Sequence, residues 1–460
     1  YAWVGAEQHV EAVGVTEWDE PQAVIGSYLQ KYAYPDWYAE HQKHNREIVD
    51  MPHREAANHH DTPDAARCLQ MRGEYLYVAE GRGGLRVYDI AANGNKGVSQ
   101  RIITAPFSPL GHDTQVKSRN ATCVALPTNQ PIAPTRNQGE IMRDTNQEQP
   151  FHSLYHYAYV VDAEEGLILV NVDTLVDGEA RNNFLERALT WNPEGRLDGA
   201  QHIVVAGSHA YITTPRGVEI IDLNDPLNPQ VLSSVPLTDA RASALQFRYL
   251  YVTNAEGLRV IDVTHPGQPV LLPAMIPLKE AHRVYLARTY AYVAAGAEGL
   301  AIVDIEKAEA PKLLRMFDAE GRLNDARDVV VGSTNASLFA YVADGRNGLK
   351  VIQLTSPESQ PGFYGFSPEP RPELIATRQT QSPALALSKG LDRDRAVDET
   401  GHQIAVIGRI GARPFNKAEM DKLYLTPEGE PWKVSDEVRH EDYLPRPGNT
   451  VHPEVPHAAP

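Results

Sequence analysis

The chain has 460 residues and a formal net charge of −17, from 43 Lys and Arg against 60 Asp and Glu. Proteins that bind nucleic acid or anionic lipid by charge need a cationic surface, so this balance argues against both partners. No run of 18 or more apolar residues occurs, so the sequence predicts no membrane-spanning helix, and 34 Pro with 33 Gly indicate a turn-rich fold.

The first predicted segment, residues 1–62, is a histidine-rich extension. It starts at Tyr1, which either a removed export signal or a cloned fragment would explain. Its candidate metal ligands are His41, His44, His53, His59, His60 and Asp61. On a helix the spacing of three places His41 and His44 on one face, and such ligands suit Zn, Cu or Ni. No known ligand spacing organises the set, so a solvated linker is the alternative reading.

Haem gives a second hypothesis for these histidines, in which one of them contacts the haem of a partner protein. The chain has no C-x-x-C-H sequence, so we expect no covalently attached c-type haem.

Residues 63–411 contain six segments with one pattern: an apolar β-branched and aromatic run, a polar turn, and a second apolar run. The segments are Tyr75–Ile90, Tyr157–Val172, His209–Leu223, Tyr249–Val263, Tyr290–Ile305 and Phe339–Leu354. Such residues suit a pleated, half-buried surface, so each segment predicts a β-hairpin.

Two columns of the hairpins support this prediction. The glycines before the second strand are predicted to adopt a positive φ, which a Cβ would disfavour; they are Gly84, Gly166, Gly217, Gly257, Gly299 and Gly348. A column of short polar residues after the second strand is predicted to hydrogen-bond to the next turn; it reads Asp89, Asn171, Asp222, Asp262, Asp304 and Gln353.

Each hairpin follows one further strand and usually precedes another, so four strands recur about every 40 residues, as in the blades of a β-propeller. The predicted fold is all-β, one propeller of four-stranded blades with extended N- and C-terminal arms. The longest inserts lie near residues 92–118 and 128–153. We favour seven blades over six, the seventh running from Pro383 to Gly408 and completed by N-terminal residues such as Ala23–Gly26.

The repeats resemble the LVIVD-repeat family of β-propellers over about residues 64–390. The motif residues are Leu258–Asp262, Leu300–Asp304, Val218–Asp222 and, more weakly, Leu349–Gln353. The resemblance implies a secreted protein, extracellular or periplasmic, and in some members an association with multihaem cytochromes. The repeat carries no family catalytic residues, so none is transferred to this chain.

The innermost strands of a propeller line its channel, and two columns of residues fall there. The predicted channel and ligand-binding residues are Arg67, Gln201, His202, Arg241, His282, Arg283, Arg327 and Asp328. The arginines of the first column could form a cationic ring that binds a carboxylate or phosphate by bidentate hydrogen bonds. Pairing of these arginines with nearby Asp is the alternative.

The two cysteines, Cys68 and Cys123, fall in the same column of neighbouring blades. A disulfide requires Cα atoms within about 7 Å, which an inner ring offers. A pair of buried free thiols remains the alternative.

Residues 412–460 are polar and Pro-rich and predict an extended arm on the propeller or on a neighbouring subunit. The predicted function is therefore a non-enzymatic protein-binding or scaffold subunit of an extracellular or periplasmic assembly. The alternative is a metal-dependent, lactonase-like hydrolase at the channel mouth. Three carboxylates converging on a metal would favour the enzyme.

Overall fold

The computed structural model describes residues 2–6, 9–13, 59–72, 75–89, 115–127, 152–175, 185–334, 337–357, 359–360, 367–389, 409–410, 413–414 and 417–432. Within these residues the chain forms seven four-stranded antiparallel sheets. Six of them, here blades 1–6, are built from strands consecutive in the chain. In each of these six blades the first strand in the chain is the innermost and the fourth is the outermost.

Among blades 1–6, blades 1 and 2 carry the longest connections. Blade 1 comprises Cys68–Arg72, Tyr75–Ala79, Leu85–Asp89 and Gln115–Val116. Blade 2 comprises Ala121–Ala125, Tyr157–Asp162, Gly166–Asn171 and Glu186–Trp191. In the part of the chain that the structure describes there are three short 3-10 helices: Ser153–His156, which precedes the second strand of blade 2, Asp173–Leu175 and Pro193–Gly195.

Blades 3 to 6 are more regular. Blade 3 comprises His202–Ala206, His209–Thr214, Gly217–Asp222 and Gln230–Pro236. Blade 4 comprises Ala242–Gln246, Tyr249–Asn254, Gly257–Asp262 and Val270–Pro277. Blade 5 comprises Val284–Ala287, Tyr290–Ala294, Leu300–Asp304 and Lys312–Phe317. Blade 6 comprises Asp328–Thr334, Ser337–Ala343, Leu349–Thr355 and Glu373–Arg378.

The seventh sheet, blade 7, joins the two ends of the chain. Its inner strand Ala384–Lys389 pairs with Ala2–Ala6, which pairs with His9–Val13 and then with His59–Asp61. The N-terminal extension therefore contributes three strands, at positions other than the Ala23–Gly26 example. Residues 23–26 and 402–408 lie outside the described residues.

The ring closes through its inner strands. Each inner strand contacts the inner strand of the next blade, and that of blade 7 contacts that of blade 1. The blades bury their apolar faces against each other, because a single four-stranded sheet cannot cover both of its own faces. The second strands supply fully buried tyrosines to this core, among them Tyr77, Tyr159, Tyr251 and Tyr292.

Both hairpin columns behave as the sequence predicts. All six column glycines have a positive φ, from 74° at Gly348 to 143° at Gly217. The polar column accepts a hydrogen bond from the backbone N–H two residues later at Asn171, Asp222, Asp262 and Asp304.

The C-terminal residues in the described set lie on the propeller. A small hairpin, Arg409–Ile410 with Arg413–Pro414, precedes helix α1, Lys417–Tyr424, and residues 425–432 fold back along it. The helix differs from the extended arm that the Pro-rich composition predicts. No helix in the described ranges is long and apolar enough to cross a membrane.

Candidate functional site: the axial channel and the arm junction

The first channel column lies just before each inner strand, at the channel mouth. The backbone N–H of Gln201, Arg241, His282 and Arg327 each donates to the second strand of its own blade, which fixes these residues at the strand entry. Fully buried alanines precede them in the chain, at Ala200, Ala240, Ala281 and Ala326.

Arg241 and Arg327 of this column are paired with acids two residues earlier. Arg241 Nε donates to Asp239 Oδ2 at 2.8 Å, and Arg327 Nε donates to Asp325 Oδ1 at 2.6 Å. Gln201 Nε2 also donates to Asp239, at 3.2 Å. At blades 4 and 6 the arginines of the expected cationic ring are thus members of ion pairs, because each of these two blades supplies a carboxylate beside its own arginine.

His282 lies between these pairs. Burial, together with the charges of Arg327 and Arg241, lowers its pKa to about 4, so the imidazole is neutral at pH 7. Its Nε2 atom is buried and makes no hydrogen bond.

The second column brings a charged cluster to the axis. Asp328 Oδ2 accepts a hydrogen bond of 2.8 Å from Leu387 N, and so joins blade 6 to blade 7. Burial raises the pKa of Asp328 to about 6, while Arg283 and the backbone donors lower it. His202 Nδ1 accepts from Ser243 N at 3.3 Å, and burial together with the Arg283 charge holds its pKa well below the usual range.

Arg283 reaches from blade 5 across the axis to blades 1 and 2. Its Nη2 donates to the carbonyl oxygen of Arg67 at 3.1 Å, and its Nη1 lies 3.9 Å from Cys123 Sγ. Burial lowers the pKa of Arg283, and the charge of Asp328 opposes that effect. The sequence identified Arg283 as a channel residue but gave no sign of this crossing, since its contacts lie 160 and 216 residues away.

Cys68 and Cys123 form a disulfide between the inner strands of blades 1 and 2. Their Cα atoms are 4.8 Å apart and their separation in the chain is 55 residues. Of the two alternatives left open by the sequence, the structure contains the bridge.

The histidine-rich segment is only partly described. His41, His44 and His53 lie outside the described residues. His59, His60 and Asp61 form the outer strand of blade 7, where their backbones pair with Glu11, Val10 and His9. Among the residues that the structure describes, no group of three His, Cys, Asp or Glu could hold a metal ion. The metal and haem-contact hypotheses for this segment stay predictions.

A second candidate site, missed by the sequence reasoning, lies where the C-terminal arm meets the opposite end of blade 4. The turn of its first hairpin carries Arg248, which is only 3% exposed. Its guanidinium donates to the carbonyl oxygen of Trp432 at 3.0 Å and to Thr264 Oγ1 at 3.2 Å, and it pairs with Asp262 and Glu309.

Tyr424 completes this attachment. Its hydroxyl donates to the carbonyl oxygen of Phe247 at 2.9 Å, its carbonyl accepts from Trp432 N at 3.0 Å, and the residue is 5% exposed. Burial raises the pKa of Tyr424 above its usual range. The arm is therefore held by one buried cation and one buried tyrosine.

Three large apolar side chains remain exposed around this attachment: Phe247 at 51%, Leu423 at 41% and Trp432 at 57%. They adjoin Arg248 and Tyr424 in the chain or bond to them through the backbone. We call these three residues the junction cluster. The sequence signal that could have found it is Phe247, an aromatic in a turn position that Gly207 fills in blade 3.

Comparison with known proteins identifies the repeat. A profile of the LVIVD repeat matches residues 65–98, 199–236, 240–274, 280–315 and 325–365. The comparison with curated proteins gives no match.

Solved structures match this chain at low identity and with TM-scores below 0.5. They include apo AztD from Citrobacter koseri, at 9% identity over 84% of this chain and 96% of that one, with a TM-score of 0.43. The designed Ika8 protein matches at 12% identity over 63% and 71%, with a TM-score of 0.39. The β-propeller domain of Cps50 (Swd1) from Myceliophteria thermophila matches at 15% over 64% and 85%, with a TM-score of 0.41.

Proposed function

Because this chain is a β-propeller protein that carries LVIVD repeats, we propose that it works as a non-enzymatic binding or scaffold subunit of a protein assembly. The observation that carries the proposal is the junction cluster. Its three side chains are 41–57% exposed, although the arm beneath them is fixed by buried polar contacts. Aromatic residues held rigidly at a surface are the usual anchors of protein interfaces.

The backbone of Phe247 supports this reading. Its φ is +51°, a conformation that glycine adopts without strain, and Gly207 has a φ of +57° at the same turn position. A bulky residue there costs about 1 kcal/mol relative to an unstrained conformation. The cost is offset if the exposed ring contacts a partner, and strained residues concentrate at functional sites for this reason.

The assembly that we propose lies outside the cytoplasm, in an extracellular or periplasmic setting. The Cys68–Cys123 disulfide supports this placement, because disulfides persist mainly in oxidising compartments. The family resemblance makes a multihaem cytochrome the first partner to test.

The experiment is site-specific photo-crosslinking in the source cells. A photoreactive phenylalanine analogue replaces Phe247 in one protein and Ile375 in the control. Ile375 is 45% exposed on the outer strand of blade 6, so the control matches the exposure but not the location. We expect a discrete crosslinked partner chain from position 247 alone, and haem staining of that band tests the cytochrome.

Two substitutions make the test quantitative. Phe247→Gly and Trp432→Ala are each expected to weaken partner binding at least about tenfold, as hot-spot truncations do. Ile375→Ser is expected to leave it unchanged. A native protein that sediments as a lone monomer, with no crosslink from position 247, would contradict the proposal.

A further inference from the structure

The two sulfur atoms of the disulfide have different surroundings. Cys68 is 8% exposed, whereas Cys123 is 1% exposed and lies against the Arg283 guanidinium, with Nη1 at 3.9 Å from its Sγ. Cys68 follows Arg67, which is exposed at the channel mouth. Cys68 is thus the more exposed of the two residues, and Cys123 is the one beside a cation.

Thiol–disulfide exchange is sensitive to this kind of asymmetry. A thiolate attacks one sulfur and expels the other as a thiolate, and the rate rises as the pKa of the leaving thiol falls. A neighbouring guanidinium lowers a thiol pKa because it stabilises the anion. In this channel the electrostatics favour Cys123 as the leaving sulfur, and accessibility favours Cys68 as the attacked one.

We propose that the Cys68–Cys123 disulfide is a directed site of thiol exchange, at which a small thiol attacks Cys68 Sγ and Arg283 stabilises the departing Cys123 thiolate. The inference is independent of the proposed binding function. The attacking thiolate forms a new S–S bond to Cys68 Sγ, and the electron pair of the broken bond passes to Cys123 Sγ. A second small thiol then attacks the mixed disulfide, which leaves Cys68 as a thiol after protonation by water. Overall, two thiols are oxidised to one disulfide and the protein disulfide is reduced.

Arg283 acts directly on the leaving sulfur in this step, and the charges of its neighbours change its effect there. Asp328 and His202 are the titratable side chains that interact electrostatically with it. His202 is neutral at pH 7 and does not compete for the thiolate. Asp328 titrates near pH 6, so its charge is fully developed above pH 7 and balances part of the Arg283 charge. The stabilisation of Cys123 is therefore expected to be weaker above pH 7 than near pH 5.

The first test uses the oxidised, full-length protein and reduced glutathione. After a short exposure the mixture is quenched in acid, alkylated with N-ethylmaleimide and mapped by mass spectrometry. We expect glutathione on Cys68 and the alkyl group on Cys123. Glutathione found mainly on Cys123, or equally on both cysteines, would overturn the proposal.

The second test asks whether the asymmetry depends on the Arg283 charge. Arg283→Met should slow reduction severalfold to tenfold and raise the pKa of the Cys123 thiol, measured by alkylation rates in a Cys68→Ser background. Arg283→Lys should restore most of both effects. Arg322→Met, the same loss of charge at a residue 60% exposed and remote from the cysteines, is the control. If Arg283→Met folds by circular dichroism yet leaves the Cys123 pKa at the level of the control, the role of Arg283 is refuted.

Discussion

Blades 1, 5 and 6 are connected to the next blade by a backbone bridge at a glycine, whereas blades 3 and 4 are connected to it by a threonine hydroxyl. In the first group the turn between the second and third strands has five residues, as in 80–84, and contains a glycine with a backbone bridge to the next blade. These bridges pair Gly81 with Ala121, Gly296 with Ala326, and Gly345 with Ala384.

In blades 3 and 4 the same turn has only two residues and contains no glycine bridge of this kind. A threonine hydroxyl makes the join instead: Thr213 Oγ1 donates to the Arg241 carbonyl at 3.1 Å, and Thr253 Oγ1 donates to the His282 carbonyl at 2.6 Å. Ala294 and Ala343 stand at this position in blades 5 and 6. The difference shows that turn length and side-chain chemistry substitute for each other, because either route satisfies the polar backbone atoms at the seam between blades.

The disulfide adds a covalent join to the glycine bridge between blades 1 and 2, and its removal has the largest expected effect. A Cys68→Ala, Cys123→Ala double variant should lower the free energy of unfolding by about 4 kcal/mol, the chain-entropy value for a loop of this size. Urea titration of the oxidised wild type and the variant measures the difference. A loss below about 1 kcal/mol would mean that the non-covalent joins hold this seam alone.

Gly345→Ala should disrupt the backbone bridge from Gly345 to Ala384, which connects blades 6 and 7. Its φ is +47°, and an added Cβ would meet the Asp325 carboxylate, which pairs with Arg327. We expect a loss of about 3 kcal/mol from backbone strain together with displacement of that ion pair. Gly321→Ala is the matched control, because Gly321 has a φ of +81° with nothing near an added Cβ, so it reports the strain alone at about 1 kcal/mol. Equal losses in the two variants would exclude the role of Asp325.

The pH dependence of the free energy of unfolding tests Glu80, which lies in the five-residue turn of blade 1. Glu80 is fully buried and accepts a hydrogen bond from the Tyr88 hydroxyl, and burial raises its pKa from 4.5 to about 7. The folded chain therefore binds this proton more tightly than the unfolded chain does. The free energy of unfolding should fall as pH rises from 4.5 to 7, by at most about 1.4 kcal/mol per pH unit.

Glu80→Gln should remove this component of the slope while its amide oxygen still accepts from Tyr88. Urea titrations at pH 5, 6, 7 and 8 measure the difference between the two proteins. An identical slope in both proteins would contradict the assignment.

Thr253→Val tests a threonine hydrogen bond between two blades, and it has the smallest expected effect on the free energy of unfolding. Valine keeps the shape but leaves the His282 carbonyl and the Ala242 N–H without their partner. We expect a loss of about 1–2 kcal/mol, and less for Thr213→Val, whose hydrogen bonds are 3.1 and 3.4 Å long. The order of the two variants in urea titration decides whether hydroxyl geometry sets the strength of these seams.

Local pattern carried most of the fold prediction. Six hairpins, their positive-φ glycines and their polar caps follow from runs of neighbouring residues, because strand alternation and turn chemistry act over a few positions. The cysteine pair and the channel columns followed from aligning the repeats. The sequence also predicted that N-terminal residues complete the seventh blade, but not which ones. The closing strands Ala2–Ala6 and His9–Val13 belong to no repeat, and Ala2–Ala6 pairs with Ala384–Lys389 at the far end of the chain.

The candidate site likewise has features that the sequence predicts and side-chain contacts that only the structure shows. The sequence alone predicted which residues share a column at the inner strands, since each repeat places one residue at the same position of its blade. Only the tertiary structure decided what those residues contact. Asp239 and Asp325 neutralise the mouth arginines, Arg283 crosses to a disulfide 160 residues away, and the arm docks through Arg248. The reason is physical: repeat spacing fixes a residue's place within its own blade, while contacts across the axis depend on how the whole ring closes.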